Sequence, residues 1–286
     1  MMFKSLAPQP PQKPLSRQDM NQYRCPSCHA PLERAGASYR CAANHSFDIA
    51  RKGYVNLLLA HQMSSKQPGD NKMMINARRE FLSAGFYQPL ADRLQQLCSQ
   101  HKVQRLLDAG CGEGYYAAYI AGQGVSVAGV DISKEGIQAA CRRSKSIDWC
   151  IASVAELPYL DAAFEAVLSV FCFVDEAEFA RVLQPGGVVV FVGPGEDHLP
   201  QLRAALYDEV RPYRSAKQED YFAGLNLVSQ ERLRFAITID GSEQIANLLK
   251  MTPHYWSSNP AQQASLLALT QLQDTVDMSI QVYRKN

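Results

Sequence analysis

The sequence predicts an α/β protein with a mostly parallel sheet, preceded by a small segment that contains clustered cysteines. From Val103 onwards, short runs of Val, Leu and Ile alternate with helical stretches, as in parallel sheets that are covered on both faces. Three of the eight cysteines lie between Cys25 and Cys41. The chain has 286 residues, 47% of them apolar, which suffices for one large core and a smaller unit beside it.

Composition divides the chain into four parts. Residues 1–22 are rich in Pro and Gln and are expected to form a disordered tail, whereas residues 23–60 hold the clustered cysteines. Residues 61–72 form a polar linker, and residues 73–286 form the main domain. The second part has few large apolar residues, so it needs a further source of stability to fold.

Two helices open the main domain. Asp70 or Asn71 can cap the first helix, and Gly85 ends it. Its apolar face has residues at helical spacing, namely Met73, Met74, Ala77 and Phe81. The second helix extends from about Pro89 to Ser99.

Alternating strands and helices follow, and they define the sheet. The predicted strands are Val103–Asp108, Val125–Asp131, Ile147–Ala152, Ala166–Phe173 and Gly187–Gly193. The helices between them are Gly114–Gln123, Ser133–Lys145 and Glu176–Leu183. In the less regular C-terminal part, an antiparallel hairpin is expected from Leu225–Ile239 and Asp277–Tyr283, with helices at Ser242–Lys250 and Ala261–Leu272.

The composition excludes some classes of protein. No apolar run approaches the roughly 18 residues of a membrane span, and the first twenty residues lack the apolar centre of a secretory signal, so we expect a soluble cytoplasmic protein. The charge is uneven, with fifteen Lys and Arg against six Asp and Glu through Arg105, and fourteen against twenty-two afterwards. A basic first third suggests contact with a polyanion, although a solvated basic surface explains the charge equally well.

The cysteine spacing predicts a metal site. Cys25, Cys28, Cys41 and His45 follow the pattern C-x2-C-x12-C-x3-H, which is typical of a structural zinc ion with four protein ligands. A disulfide fits poorly with a cytosolic protein. His29 is an alternative ligand, but neighbouring Cys and His residues cannot easily share one tetrahedron. The remaining cysteines are interpreted as reduced core residues: Cys98, Cys111, Cys141, Cys150 and Cys172.

A glycine-rich turn follows the first strand of the main domain and lets the backbone approach a nucleotide closely. Its glycines have G-x-G-x-G spacing: Gly110, Gly112 and Gly114. Tyr115 stands where a dinucleotide-binding motif has its third glycine, which argues against NAD. Asp131 ends the next strand and can accept both hydroxyls of a ribose, while Asp108 can meet an ammonium group. These groups match S-adenosylmethionine.

The same residues resemble a known class of enzymes. Asp108–Gly114 and Gly129–Ser133 look like the first two motifs of class I methyltransferases, and Leu183–Gly187 looks like the loop before their fifth strand. The resemblance implies a Rossmann-like class I methyltransferase fold with a mostly parallel seven-stranded sheet, and S-adenosylmethionine as cofactor. These motifs are common to the whole class and leave the substrate open.

Further motifs resemble the RlmA/RrmA-like family of bacterial 23S rRNA (guanine-N1)-methyltransferases. They are Cys25-Pro-Ser-Cys-His, Asn44-His-Ser-Phe-Asp-Ile-Ala-Arg-Lys-Gly-Tyr-Val-Asn-Leu-Leu, Pro68-Gly-Asp, Met74-Ile-Asn-Ala-Arg-Arg and Ala84-Gly-Phe-Tyr-Gln-Pro-Leu. This resemblance implies methylation of N1 of a guanine in a hairpin of 23S rRNA, at the equivalent of guanine 745. It also implies a homodimer whose zinc domains help to form an RNA-binding cleft.

The family resemblance assigns roles to single residues. It implies that the four ligands predicted above bind zinc. It also implies cofactor contacts from Tyr87, Gly112, Glu113 and His198. The basic residues that are candidates for RNA binding are Arg51, Lys52, Arg78 and Arg79, although ordinary surface charge explains Arg78 and Arg79 equally well. Two features depart from the family, namely the tail before Tyr23 and the segment from Val170 to Asp175, where relatives have a proline-containing segment.

Methylation at N1 requires loss of a proton with a pKa of roughly 9–10, in the range of a tyrosine side chain. Asp175 is the candidate for the base, although it could simply cap the following helix. The guanine must also leave its stack, and four aromatic residues could cover it: Phe171, Phe173, Tyr255 and Trp256. Core packing is the simpler interpretation for the two phenylalanines.

Two other functions remain compatible with the residues. A methyltransferase for quinones or other metabolites would use the same glycine-rich turn, but it has no evident need for a zinc site or a basic N-terminal third. A non-catalytic, zinc-dependent RNA-binding protein would not bind S-adenosylmethionine. No DNA or membrane partner is expected.

Overall fold

The N-terminal part forms a small antiparallel sheet beside a much larger one. The computed structural model describes residues 23–63, 65, 68–210, 213, 222 and 224–286, so the predicted tail lies outside the described residues. The small sheet pairs its strands in chain order: β1 (Glu33–Ala35), β2 (Ser38–Arg40) and β3 (Ser46–Asp48). A short 3-10 helix at Ala60–Gln62 follows this part.

The large sheet has eight strands. They are β4 (Tyr54–Asn56), β5 (Arg105–Ala109), β6 (Ser126–Asp131), β7 (Asp148–Ile151), β8 (Phe164–Val170), β9 (Leu183–Pro194), β10 (Asn226–Asp240) and β11 (Gln271–Arg284). Their order across the sheet is β10-β11-β9-β8-β5-β6-β7-β4. All neighbouring pairs from β4 to β9 are parallel, and β11 is antiparallel to both β9 and β10.

This sheet is the Rossmann-like methyltransferase fold that the motifs indicate, with one correction. The expected seven strands are all present, and β4 adds an eighth from the N-terminal part. β4 pairs in parallel with β7, with Val55 opposite Cys150. A strand of three residues that pairs with a segment so distant in the chain leaves no recognisable periodicity in the sequence.

Helices cover both faces of the large sheet. They are α1 (Lys72–Ser83), α2 (Gln88–Gln100), α3 (Tyr115–Ala121), α4 (Lys134–Arg143), α5 (Glu176–Val182), α6 (Pro200–Leu206), α7 (Ser242–Lys250), α8 (His254–Ser257) and α9 (Pro260–Leu267). The helix predicted to reach Leu272 ends at Leu267, and the last strand begins at Gln271 instead of Asp277. The long hairpin with β10 explains the difference, because Gln271 pairs with Asp240 at its far end.

The first helix shows how the sequence sets an element's boundaries. Asn71 caps α1 by accepting a hydrogen bond from the backbone N–H of Met74 at 3.1 Å, and Gly85 adopts φ +87° just after its end. The predicted apolar face was partly wrong. The residues that α1 buries are Ile75, Ala77, Phe81 and Leu82, whereas the two methionines are only half-buried.

Strand pairing and buried aromatic packing are among the contacts that attach the N-terminal part to the main domain. β4 joins the large sheet, and Tyr23 stacks on Tyr159 with ring centroids 5.3 Å apart. Tyr23, Leu32 and Tyr39 are buried in the same apolar cluster as Leu107 of β5. Burying a large apolar side chain contributes roughly 1.5–3 kcal/mol, so these contacts fix the small sheet against one face of the large one.

The linker is also held in place where it enters α1. A Cβ on Gly69 would lie 2.9 Å from side-chain atoms of Ile132 and Ser133, so this turn packs directly on the chain after β6. The hydroxyl of Ser133 donates to the carbonyl oxygen of Asp70 at 2.6 Å. The end of the predicted linker is therefore part of the wall of the site described below. In the described part of the chain, no helix is long and apolar enough to cross a membrane.

Candidate metal centre and cofactor cavity

The four predicted zinc ligands lie together. Their donor atoms are all within 4.8 Å of one another. The Nδ1 atom of His45 is 3.5 Å from Sγ of Cys25 and 3.4 Å from Sγ of Cys41, and Sγ of Cys28 is 3.6 Å from that of Cys41. Tetrahedral zinc with ordinary bond lengths requires donor separations of roughly 3.5–3.8 Å, so the donor set fits the ion. Four protein ligands make this a structural site.

Two tight turns present the ligands. The backbone N–H of His29 donates to the carbonyl of Cys25 at 2.8 Å, and that of Asn44 donates to the carbonyl of Cys41 at 2.9 Å. Both donors have a positive φ, 62° for His29 and 63° for Asn44, which closes each turn after its cysteines. His29 itself is exposed and lies outside the ligand cluster, whereas His45 lies within it, which favours His45 as the fourth ligand.

A cavity of about 560 Å³ opens at the carboxyl ends of β5, β6, β8 and β9. Ligands of α/β sheets bind at this edge, and the volume lies within the usual range for small-molecule sites. Seven of the eight predicted cofactor residues line it: Tyr87, Asp108, Gly110, Gly112, Glu113, Asp131 and His198. The eighth, Gly114, lies behind the wall against Trp149.

The turn after β5 depends on its glycines. Gly110 has φ +79°, and a Cβ there would lie 2.0 Å from Sγ of Cys172, so only glycine fits. Gly114 has φ +82° at the start of α3, where a Cβ would lie 2.7 Å from the indole ring of Trp149. Cys111 and Cys172, which we expected in the core, are instead half-buried in the cavity wall.

Two carboxylates face the cavity from neighbouring strands. Asp108 is 2% exposed, and its Oδ2 atom has no hydrogen-bond partner. Burial, and secondarily the charge of Asp131, raise the pKa of the Asp108 carboxyl to about 7. An ammonium group would supply the missing partner. Asp131 accepts from the backbone N–H of Gly112 at 2.8 Å and of Ser133 at 2.7 Å, which orients its oxygens for ribose hydroxyls.

Glu113 and His198 are also buried in the cavity wall. Glu113 forms an ion pair with Arg143 at 2.6 Å through one oxygen, while its other oxygen has no partner. The Nδ1 atom of His198 lies 2.8 Å from the carbonyl oxygen of Asp277. Burial lowers the pKa of His198 to about 4, so its imidazole is neutral at neutral pH. The ring of Tyr87 packs edge-on against that of His198.

Three other predicted site residues, described next, lie outside the cavity lining. Asp175 caps α5 by accepting from the backbone N–H of Glu178 at 3.0 Å, and it is not among the described residues that line the cavity. We therefore withdraw it as the candidate base, since capping accounts for it. Lys52 is exposed and bonds to Gln138, whereas Arg79 is half-buried and pairs with Glu80.

Arg78 lies in the cavity wall and not on the RNA-binding surface we expected. It forms an ion pair with Asp70 and donates to the carbonyl oxygen of Met251 at 3.2 Å. Its guanidinium group approaches Gly112, where an added Cβ would be 3.4 Å from Nη1. The helical spacing of residues along α1 could not predict that Arg78 lies in the cavity wall. That position depends on the linker folding back onto the chain after β6.

Arg78→Ala is expected to weaken S-adenosylmethionine binding about 10–100-fold, because we expect the guanidinium group, which lies in the cavity wall beside Gly112, to bind the cofactor's carboxylate. Isothermal titration calorimetry measures the change. Arg79→Ala is the matched control, because the neighbouring arginine pairs with Glu80 instead. Equal affinities for the two variants would contradict this assignment.

The residues of the cavity wall that the sequence analysis missed include Asp70, Tyr213 and His254. Asp70 was considered only as a helix cap, although it also belongs to the Pro68-Gly-Asp motif, one of the motifs that carry the family resemblance. Tyr213 and His254 also line the cavity. They come from distant segments without a motif, so no local pattern could have indicated them.

Comparison with known proteins agrees with these sites. A family model described as "RlmA, N-terminal", a zinc ribbon, matches residues 23–66, and a methyltransferase domain matches residues 107–191. A 23S rRNA (guanine(748)-N(1))-methyltransferase of Streptomyces fradiae is 32% identical over 86% of this chain and 89% of its own length. YxjB of Bacillus subtilis (strain 168), provisionally named a 23S rRNA (guanine-N1)-methyltransferase, is 35% identical over 93% of this chain and 98% of its own.

A third relative shows how general the cofactor motifs are. The demethylmenaquinone methyltransferase of Tropheryma whipplei (strain Twist) is 36% identical, but over only 30% of this chain and 40% of its own length. The cavity and the metal centre together fit S-adenosylmethionine and one structural zinc ion as cofactors. Because the rRNA-modifying relatives align along nearly the whole chain, this protein belongs to the family of 23S rRNA (guanine-N1)-methyltransferases.

Proposed function

We propose that this protein transfers the methyl group of S-adenosylmethionine to N1 of a guanine in a hairpin of 23S rRNA. The observation that carries the proposal is the joint presence of the zinc ribbon and the cofactor cavity in one chain whose relatives align over most of its length. We expect the equivalent of guanine 745 as the target, whereas the Streptomyces fradiae relative is named for guanine 748. We further propose that the enzyme acts in the cytoplasm as a homodimer.

Exposed basic side chains on the zinc-binding part support contact with RNA. They are Arg34, Arg40, Arg51 and Lys52. Each phosphate contact contributes a slope of about −0.7 to −0.9 to the dependence of log affinity on log salt. Binding of the rRNA should therefore weaken steeply with salt if this surface holds the phosphates.

Two exposed aromatic residues at the mouth of the cavity support the proposal that the acceptor is an unstacked base. Phe171 is 45% exposed and Phe173 is 65% exposed, and both line the cavity, so core packing was the wrong interpretation for them. Phe171 has φ +51°, a conformation that costs energy in a bulky residue and that turns the chain at the end of β8. Aromatic side chains at such an opening are suited to stack on a flipped guanine.

The residues of the cavity serve mainly to position the two reactants. S-adenosylmethionine supplies a methyl group that is already activated on a sulfonium, so orientation provides much of the catalysis. Asp108, Arg78 and Asp131 all line the cavity; Asp108 and Arg78 would hold the amino-acid end of the cofactor, and Asp131 its ribose. Phe171 and Phe173 would hold the base and exclude water from it.

Phe173→Ala is expected to raise the KM for rRNA about 5–150-fold, because stacking of one base on an aromatic ring contributes roughly 1–3 kcal/mol. Trp256→Ala is the control, since Trp256 is 61% exposed and outside the described cavity lining. Steady-state kinetics with a 23S rRNA fragment measure both. A KM that changes for Trp256→Ala but not for Phe173→Ala would contradict the placement of the acceptor base.

Primer extension on 23S rRNA tests the proposal in the cell. Methylation of N1 blocks Watson–Crick pairing, so reverse transcriptase stops beside the modified guanine. We expect a knockout strain to lose one such stop and complementation to restore it, which also identifies the guanine. An unchanged pattern in the knockout would contradict the proposed function. Methyl transfer to a metabolite extract but not to deproteinised 23S rRNA would favour a small-molecule methyltransferase instead.

A further inference from the structure

A chain of hydrogen-bonding side chains leads from the cavity to the surface. The Oη atom of Tyr213 is 2.7 Å from Nε2 of His254, and Nδ1 of the same imidazole is 3.0 Å from Oη of Tyr207. Tyr207 in turn is 2.7 Å from Oγ of Ser257, where the side chains are exposed. Tyr213 and His254 both line the cavity, so the chain joins the cavity interior to solvent.

The inner end of this chain lies where the proposed function places the acceptor base. The ring of Tyr213 is 6.3 Å from that of His198, which is 5.5 Å from the ring of Phe171. The ring of His198 therefore links Tyr213 to Phe171, which is proposed to hold the guanine.

The surroundings of His254 keep its imidazole unprotonated at neutral pH. The guanidinium group of Arg203 lies 4.4 Å from the centre of the Tyr213 ring. Burial, and then this positive charge, lower the pKa of His254. Among the described residues, those whose side chains interact with His254 are Tyr207, Tyr213, His198 and Arg203, and none of them is a carboxylic acid. His254 is thus neutral and has one nitrogen able to accept.

The reaction needs such an acceptor. Guanine N1 carries a proton with a pKa of roughly 9–10, and a general base typically contributes about 10²–10⁴-fold in rate. Asp175 is committed to its helix cap, and Asp131 is hydrogen-bonded to two backbone N–H groups at the ribose position. A phenol linked to a neutral imidazole at the acceptor end matches the requirement better than either carboxylate.

We propose that Tyr213 and His254, assisted by Tyr207, form a proton relay that removes the N1 proton of the acceptor guanine; this inference rests on the proposed function. As the proton leaves N1, the electron pair of the N1–H bond forms the bond to the methyl carbon. The bond between that carbon and sulfur breaks, and its electron pair stays on the sulfur atom.

The proton follows the hydrogen bonds already present. It passes from N1 to Oη of Tyr213 while the phenol's own proton passes to Nε2 of His254. The imidazolium so formed takes up the positive charge that the sulfonium loses. His254 then returns to its neutral form by giving its Nδ1 proton to Tyr207, which passes a proton to solvent. Tyr213 would contact the base directly, whereas His254 and Tyr207 act through it.

Single-turnover methylation of a 23S rRNA hairpin, measured against pH, tests the relay. Tyr213→Phe, which removes only the phenol oxygen, is expected to slow transfer about 10²–10⁴-fold with little change in the Kd of cofactor or RNA. The remaining rate should rise about tenfold per pH unit between about pH 7 and 9, because only guanine that is already ionised reacts. The unmodified enzyme should be nearly independent of pH in this range.

A second variant and a control make the outcome decisive. His254→Gln should show the same rising pH profile, whereas Tyr119→Phe, which removes an exposed hydroxyl on α3, should behave like the unmodified enzyme. Normal rates for Tyr213→Phe and His254→Gln, or losses by the same factor at every pH, would overturn the relay. Failure of the unmodified enzyme to methylate the hairpin would contradict the proposed function instead.

Discussion

Cys28→Ser should remove the zinc ion and abolish methylation of 23S rRNA, while cofactor affinity stays nearly unchanged. A structural zinc site supplies roughly 10–16 kcal/mol of apparent folding free energy in small domains, and serine cannot replace a thiolate ligand. The three short strands near the zinc ligands have little apolar core of their own. We therefore expect the small sheet to unfold when the zinc ion is lost. Asp108 and Asp131 belong to β5 and β6, which are central in the large sheet.

His29→Ala is the matched control for this variant, because His29 follows Cys28 directly but lies outside the ligand cluster. Zinc content by mass spectrometry, RNA affinity by filter binding and cofactor affinity by calorimetry give the three readouts. A metal-free Cys28→Ser protein that binds and methylates rRNA normally would show that the zinc-binding part does not hold the substrate.

Asp108→Asn should weaken S-adenosylmethionine binding by about 100-fold or more, because the buried carboxylate is the expected partner of the cofactor's ammonium group. The pKa of about 7 for Asp108 adds a pH dependence. Below about pH 7 the carboxyl becomes protonated, so the affinity of the unmodified protein should fall by up to about tenfold per pH unit. Calorimetry from acidic to alkaline pH measures this loss, which the Asn variant should not show.

The same substitution should have the opposite effect on stability. The pKa of Asp108 is higher in the folded state than in the unfolded state, so its contribution to stability is full below about pH 4 and is lost as the pH rises through about 7. Without cofactor, Asp108→Asn should therefore gain in Tm relative to the unmodified protein as the pH rises from about 5.5 to 8. Asp240→Asn, at an exposed position, should show no such trend. A constant Tm difference would contradict the burial of a charged carboxyl.

Local patterns were sufficient to select residues that the structure brings together, both the candidate metal ligands and most of the candidate cofactor residues. The spacing of Cys25, Cys28, Cys41 and His45 identified ligands that the structure brings within 4.8 Å. The glycine turn and Asp131 were predictable because both lie at strand ends, where the carboxyl edge of a parallel sheet collects them. In each case the chemistry depends on residues that are close in sequence or fixed by the strand order.

Contacts between distant segments account for what the sequence did not reveal. The pairing of β4 with β7, the turn of Arg78 into the cavity and the meeting of Tyr213 with His254 all depend on tertiary packing. Phe171 and Phe173 belong to an apolar run that resembles a buried strand, yet β8 ends at Val170 and leaves them at the opening. Exposed apolar residues beside a functional site violate the usual pattern, and so they mislead a prediction based on it.

The central claim is that one cavity brings the methyl group of S-adenosylmethionine to N1 of a 23S rRNA guanine. Incubation of the purified protein with labelled cofactor and 23S rRNA from a knockout strain, followed by nucleoside mass spectrometry, tests it most directly. The account predicts labelled 1-methylguanosine, with one methyl group per rRNA molecule. Label in another methylated nucleoside, or none in the rRNA, would contradict it.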